Sequence, residues 1–316
     1  MLQTVILIVA QTAILLAVSP LLVGLIRKVK ARLQLRRGAS VSQPYADLAK
    51  LFRKHPVISR TTSWIFTATP YIVFASTLSA GLLVPTFTSQ TPMNFAGNII
   101  ALVYLFALGT FFLMLAGLDA GSAFGGMGSS REAIVASLTE PAMMLSIFAI
   151  ALTAGSTNLS TVVHKTALME GIVTDPSPHL MAFAALFIVA LAETGRVPVD
   201  NPATHLELTM IHEGMVLEYS GRYLALIEWA ACMKLTVFLS LIANVFAPWG
   251  IATTMAPAAM VIGLLVYVAK VAVLAVSIGV IECMFAKLRL FRVTDLLGVA
   301  FILALLGLLF FYILRS

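Results

Sequence analysis

Read along its length, the chain alternates between long apolar runs and short polar segments. Eight stretches read as helical spans: about Leu2 to Ile26, Trp64 to Phe87, Ala96 to Leu118, Ala133 to Ala154, Pro176 to Ala192, Tyr223 to Val245, Ile251 to Phe285 and Val293 to Leu314. A spanning helix needs about 20 mostly apolar residues, because hydrocarbon offers the backbone no water and only a helix satisfies its own polar groups. The fifth stretch is short and the seventh long, so these two are expected to be the irregular members. The pattern predicts an all-α polytopic membrane protein, one transmembrane domain over residues 1–316. The first run lacks a basic leader and exceeds a signal-peptide core, which makes it a retained helix.

Composition strengthens this picture: 60% of residues are hydrophobic and 11% charged, and the mean hydropathy is +1.00. Charge then orients it. The connections at 27–63, 119–132, 193–222 and 286–292 carry 10, 1, 2 and 3 Lys and Arg, whereas the opposite side has only Lys165 and Arg315. By the positive-inside rule those four connections are expected to be cytoplasmic, with both termini outside the cytoplasm and the chain in the inner (plasma) membrane. The net charge of +6 is thus one-sided, which fits contact with anionic lipid and gives no reason to expect nucleic acid. Two cysteines, Cys232 and Cys283, are too few to hold an iron–sulfur cluster or a structural zinc.

The polar connections hold the candidate chemistry. In the first, Pro44 can open an amphipathic helix with Asp47 in its first turn and Leu48, Leu51 and Phe52 as an apolar stripe, lying on the membrane. Its charges read either as orientation determinants or as a docking surface for a cytoplasmic partner. The second, GLDAGSAFGGMGSSRE, is expected to be a flexible hairpin; it lacks the Gly-Lys-Ser/Thr ending of a phosphate loop. Just beyond it Glu140 lies roughly 10 Å into the fourth span at ~1.5 Å per residue, followed by Pro141. It is either a proton carrier or a plain hydrogen-bonded buried acid.

The densest polar segment is Ala192 to Gly221, which holds five of the 14 acidic residues: Glu193, Asp200, Glu207, Glu213 and Glu218. Pro198 and Pro202 force a turn after Glu193. A helix resuming near Ala203 would return Glu207 and Glu218 to one face, with Glu213 pointing elsewhere. Arg196 can neutralise Glu193 or Asp200, and Arg222 can pair with Glu218 at i,i+4. Such a column suits stepwise proton transfer or stabilisation of a protonated polar ligand; a solvated amphipathic helix is the bland reading. His205, Glu207, His212 and Glu213 lack HExxH spacing, so no metal is expected.

The run Glu193-Thr194, Arg196, Pro198, Asp200, Glu207-Leu208 and Glu218-Tyr219-Ser220-Gly221 resembles the signature of the H-type membrane subunit of proton-pumping NADH:quinone oxidoreductase, or complex I. RRGASVSQPYADLAKLF resembles that family's first loop, and Ser122, Gly128, Arg131 and Glu140 reproduce its spacing after the third span. Three features depart from it: Val199 before Asp200, Ala203 and His205 at positions that would be acidic, and three extra residues before Glu218. These resemble the membrane subunit of group 4 nickel–iron hydrogenases, of the hydrogenase-4 component C and formate hydrogenlyase subunit 4 type.

The resemblance implies an eight-helix fold and a non-catalytic anchor and coupling subunit without cofactors of its own. Its partners would be hydrogenase large and small subunits, an iron–sulfur protein and antiporter-like membrane subunits, with the nickel–iron centre and clusters on those partners. Glu140, Glu193, Asp200, Glu207, Glu213 and Glu218 would couple protonation. Arg131 and Arg196, with Arg36, Arg37, Asp47 and Lys50, would tune charge or dock the peripheral arm. Lys234 and Lys270, inside spans, would extend a polar path or form ion pairs with Glu228 or Glu282. The complex I subunit proper, with part of a quinone site, is the alternative; a stand-alone transporter is disfavoured by the absence of inverted repeats.

Overall fold

The computed structural model describes residues 2–89, 91, 98–168, 176–201, 209–254 and 256–313. Within them the chain forms eleven helices and no strand; two isolated bridges, Thr88 to Ala252 and Asn98 to Asn158, join extended segments. In chain order these are α1 (Leu2–Leu33), α2 (Gln43–Phe52), α3 (Trp64–Leu83), α4 (Ile99–Asp119), α5 (Ala123–Ala154), α6 (Leu159–Leu168), α7 (Pro176–Glu193), α8 (His212–Val216), α9 (Gly221–Val245), α10 (Pro257–Met284) and α11 (Leu290–Ile313). Seven of them (α1, α3, α4, α5, α9, α10 and α11) are long and apolar enough to cross a bilayer. The remaining expected span is α7, whose apolar stretch Ser177–Glu193 is the short one that the sequence singled out. The protein is a polytopic all-α membrane protein.

Three expected connections differ. The first begins later than residue 27, because α1 continues to Leu33 and carries Arg27, Lys28, Lys30 and Arg32 as helical residues. Within it α2 forms where Pro44 predicts, but it starts at Gln43, so Asp47 lies beyond the first turn and accepts from Gln43 Nε2 at 2.9 Å. Its apolar stripe faces protein rather than lipid: α2 packs on α1 and α9, Leu48 is buried, and Phe52 meets Trp229 edge-on at 6.0 Å.

The glycine-rich connection 119–132 is not a hairpin. Only Ala120–Ser122 interrupt the helices, and α5 runs 32 residues from Ala123, about 48 Å at the α-helical rise. The helix is therefore longer than the ~30 Å hydrocarbon layer is thick. The glycines of its first turns admit neighbouring backbone: a Cβ on Gly125 would lie 2.4 Å from the Gly117 carbonyl oxygen, and one on Gly128 2.9 Å from that of Ile211. The glycines thus serve close packing. A further helix, α6, lies between α5 and α7 where no element is expected.

The spans arrange themselves around α9, which has 67% of its apolar window buried against 22% for α10 and 28% for α11. It packs on α1, α2, α3, α7 and α10, so polar groups along it face protein. Prolines lie inside the helices beside it, and the carbonyls they free are capped by side chains, as a lipid environment requires. Pro20 cannot donate to Leu16, whose carbonyl instead accepts from Trp229 Nε1 at 3.3 Å; the next carbonyl, Ala17, accepts from the Tyr45 hydroxyl.

Pro70 frees the carbonyl of Phe66, which takes the Tyr219 hydroxyl at 2.8 Å, while the Tyr219 ring stacks on Phe66 at 4.0 Å. The motif Tyr219-Ser220-Gly221 is therefore a structural clasp. Ser220 Oγ accepts from Val57 N at 2.8 Å, and a Cβ on Gly221, at φ +54°, would meet the carbonyls of Lys54 and His55 at 2.7 Å. Tyr219→Phe should leave a buried carbonyl with no donor, at a cost of about 1–3 kcal/mol. The measurement is thermal unfolding of the purified protein, and an unshifted melting temperature would refute this role.

Candidate functional site

The acidic segment begins where α7 ends. Gly195, at φ +58°, closes the helix, and Arg196 N–H returns to the Leu191 carbonyl at 2.8 Å. This leaves Glu193 on the last turn facing inward, its side chain 5% exposed. Its carboxylate meets Lys234 of α9 at 2.7 Å and accepts the Thr139 hydroxyl from α5. Lys234 also reaches Thr110 of α4 at 3.4 Å and lies 5.8 Å from the Phe106 ring centroid. Four helices, α4, α5, α7 and α9, thus converge on one buried ion pair.

Seven residues on, Asp200 organises the polar segment that follows α7. One oxygen meets Lys287 at 2.6 Å, and the other accepts the backbone N–H of Ile211 and of His212, both at 3.2 Å. Lys287 also donates to the Thr209 carbonyl, and Arg131 of α5 holds the Met210 carbonyl at 2.9 Å. Residues 209–212 are thereby pinned by charged side chains from three parts of the chain. A third centre is Glu282 at the end of α10, its side chain 2% exposed, which pairs with Lys30 at 3.1 Å and Arg196 at 3.0 Å.

These centres border a cavity of about 610 Å³ lined by six acidic side chains and five basic ones. It reaches from Arg36 and Gly38 in the first connection to Val73, Phe106 and Leu113 between the spans. Glu193, Asp200 and Glu282 are paired, while Glu132, Glu213 and Glu228 have no ion pair among the described residues. Burial, then the neighbouring carboxylates of Glu228 and Asp200, pushes the Glu213 carboxyl up to about 7. His212 beside it is lowered to about 4, chiefly by burial and then by Lys234, so its imidazole is neutral at pH 7.

An acid raised in the folded state keeps a proton that the unfolded chain has lost. Between 4.5 and about 7 the Glu213 contribution to stability should therefore fall as pH rises. Glu213→Gln, which cannot ionise, is expected to flatten that fall. Melting curves of both proteins from pH 5 to 8 test this; parallel profiles would show that Glu213 does not titrate there.

The pairings differ from those expected. Arg196 neutralises Glu282 rather than Glu193 or Asp200, because the turn after α7 swings it toward α10. Lys234 takes Glu193 instead of Glu228. Lys270 pairs with no acid among the described residues; it donates to the Ala247 carbonyl at 2.6 Å and to Asn244 at 3.4 Å, capping the far end of α9. Glu218 and Arg222 are exposed and flank the break between α8 and α9, so their i,i+4 geometry does not arise; Arg222 lies over Tyr223 instead. Glu207, with Ala203 and His205, lies outside the described residues. The helix that would align Glu207 with Glu218 is absent from 209–218, where the only α-helix is α8.

Among the other candidates, Glu140 is half-buried on α5, within electrostatic reach of Glu193 and Lys234. Arg36 lines the cavity mouth, Arg37 and Lys50 are exposed, and Asp47 stands 3.9 Å from Arg27. Sequence reasoning left out Glu132, Lys30 and Lys287, and treated Glu228 and Glu282 only as lysine partners. A lone acid at the end of an apolar run was signal enough for Glu282; Lys30 and Lys287 read simply as topology charges.

A match to the NADH dehydrogenase family extends over residues 4–313. The chain belongs to that family. Among its relatives, formate hydrogenlyase subunit 4 of Escherichia coli (strain K12) is 35% identical over 283 residues, covering 89% of this chain and 90% of that protein. Hydrogenase-4 component C of the same organism is 34% identical, covering 95% and 94%. The H-type NADH-quinone oxidoreductase subunit of Rubrobacter xylanophilus is 32% identical over a smaller share, 70% and 67%. The fold also matches a chain from the structure of the membrane-bound sulfane sulfur reductase, an archaeal respiratory membrane complex, with a TM-score of 0.80 at 22% identity over 98% of both chains. As a family member, the chain shares its fold with subunits of multisubunit membrane complexes.

Proposed function

We propose that this family member is the membrane anchor and coupling subunit of a multisubunit group 4 nickel–iron hydrogenase of the formate hydrogenlyase type. It would link electron transfer in a peripheral arm to translocation of protons or sodium. The observation that carries this reading is the succession of charged groups from Lys287 and Asp200 to Glu193 and Lys234 inside the spans. The near-full-length similarity to formate hydrogenlyase subunit 4 and hydrogenase-4 component C supports the hydrogenase branch.

Cys232 and Cys283 are free and lie on different helices, and no group of three His, Cys, Asp or Glu among the described residues is placed to hold a metal. Two cysteines on separate helices cannot supply the thiolates that a nickel–iron centre or an iron–sulfur cluster needs, so the described residues do not fit either group. In this reading those centres belong to the hydrogenase large and small subunits and an iron–sulfur protein docked on the cytoplasmic side, at Arg36, Arg37 and Lys50. Antiporter-like subunits would adjoin in the inner membrane, with both termini outside.

The test is gentle purification from native membranes, followed by identification of co-purifying subunits and metals. Nickel with hydrogenase subunits is the expected result. A flavin-containing, quinone-reducing complex without nickel would instead make this chain a complex I component.

A further inference from the structure

Beside the main cavity lies a second, of about 10 Å³, bordered by Glu132, Glu193, Asp200 and His212. That is room for about one water, and a buried water needs two to four polar partners, which these side chains supply. Glu132 distinguishes the place. It is 9% exposed, lines both cavities, and has no hydrogen bond or ion pair among the described residues.

The charges facing it are already matched. Glu193 of α7 has Lys234 of α9, and Asp200 has Lys287. His212 of α8 is a neutral imidazole and brings no positive charge. Glu132 is the acid left over, and an isolated buried carboxylate is so costly that such a group neutralises instead.

We propose that Glu132 carries the exchangeable proton of this cluster, and that one water in the small cavity joins its carboxyl to those of Glu193 and Asp200. In the transfer, the Glu132 O–H bond breaks toward the water, and the water gives a different proton to Glu193, where a new O–H bond forms. Lys234, the cation acting most strongly on Glu132, then loses one carboxylate partner and faces another. The net charge of the cluster is unchanged, so the proton shift and the exchange of ion-pair partners are one event. The use of this event in coupling rests on the proposed function; the chemistry of Glu132 does not.

Infrared difference spectroscopy on the purified complex, with hydrogen–deuterium exchange at neutral pH, tests it. The native protein should show a deuterium-sensitive carboxylic-acid carbonyl band that vanishes in Glu132→Gln and shifts in Glu132→Asp. Glu132→Gln should assemble normally, since glutamine reproduces the neutral acid in size and charge. Should that variant fail to assemble, the aspartate shift decides. An identical band in all three proteins, or no such band in the native one, overturns the assignment. Loss of the band with unchanged ion movement would uphold the proton on Glu132 and count against the coupling role of the cluster.

Discussion

Glu282→Leu is expected to destabilise the protein by about 3–5 kcal/mol, the range for breaking a buried ion pair by removing one partner. The carboxylate is the shared counter-ion of Lys30 and Arg196. The two cations do not suffer equally: Lys30, at 22% side-chain exposure, can reach toward water, whereas Arg196, at 10%, cannot. Most of the loss therefore falls on Arg196. Adding Arg196→Leu to Glu282→Leu should recover a large part of the melting temperature, because a buried pair replaced by apolar residues of similar volume is often neutral. If the double variant is as unstable as the sum of the single ones, the pair is not the source of the effect.

The second large effect belongs to Glu193. Glu193→Gln keeps the Thr139 contact but leaves Lys234 with no carboxylate at 2.7 Å. Coupled turnover of the complex is expected to fall at least tenfold, equivalent to about 1.4 kcal/mol, along with a measurable loss of stability. The two consequences can be separated. Glu193→Gln with Lys234→Met removes the uncompensated charge and should restore stability but not ion movement. Restoration of both would reduce the pair to a structural tie.

The membrane fold was legible because its signal is local. Each span is a run of apolar residues whose length is set by the bilayer, and the residues that end it are adjacent in sequence. α7 and α11 accordingly begin and end within three residues of their expected limits. The glycine-rich stretch failed the same logic, since Gly125 and Gly128 disfavour helix locally, while the close approach of Gly117 and Ile211 that they permit is visible only in the fold. The helix expected after Ala203 failed for the complementary reason. Asp200, Lys287 and Arg131 hold the backbone at 209–212 from up to 79 positions away, and periodicity cannot register such ties.

Of the candidate site, sequence by itself determined which segment carries the charge and that Glu193, Asp200, Lys234 and Glu140 are unusual in an apolar chain. It also determined the family, through motifs whose spacing survives in one dimension. Only the tertiary structure decided who neutralises whom. Ion pairing depends on close approach between helices distant in the chain, as with Lys30 and Glu282, separated by 252 positions and 3.1 Å apart. The same folding made Tyr219-Ser220-Gly221, legible in sequence only as part of the family signature, the clasp that caps the carbonyl freed by Pro70 and holds the first loop. It also left Glu132 buried with no ion pair among the described residues, because its acidic neighbours had already taken the nearby lysines.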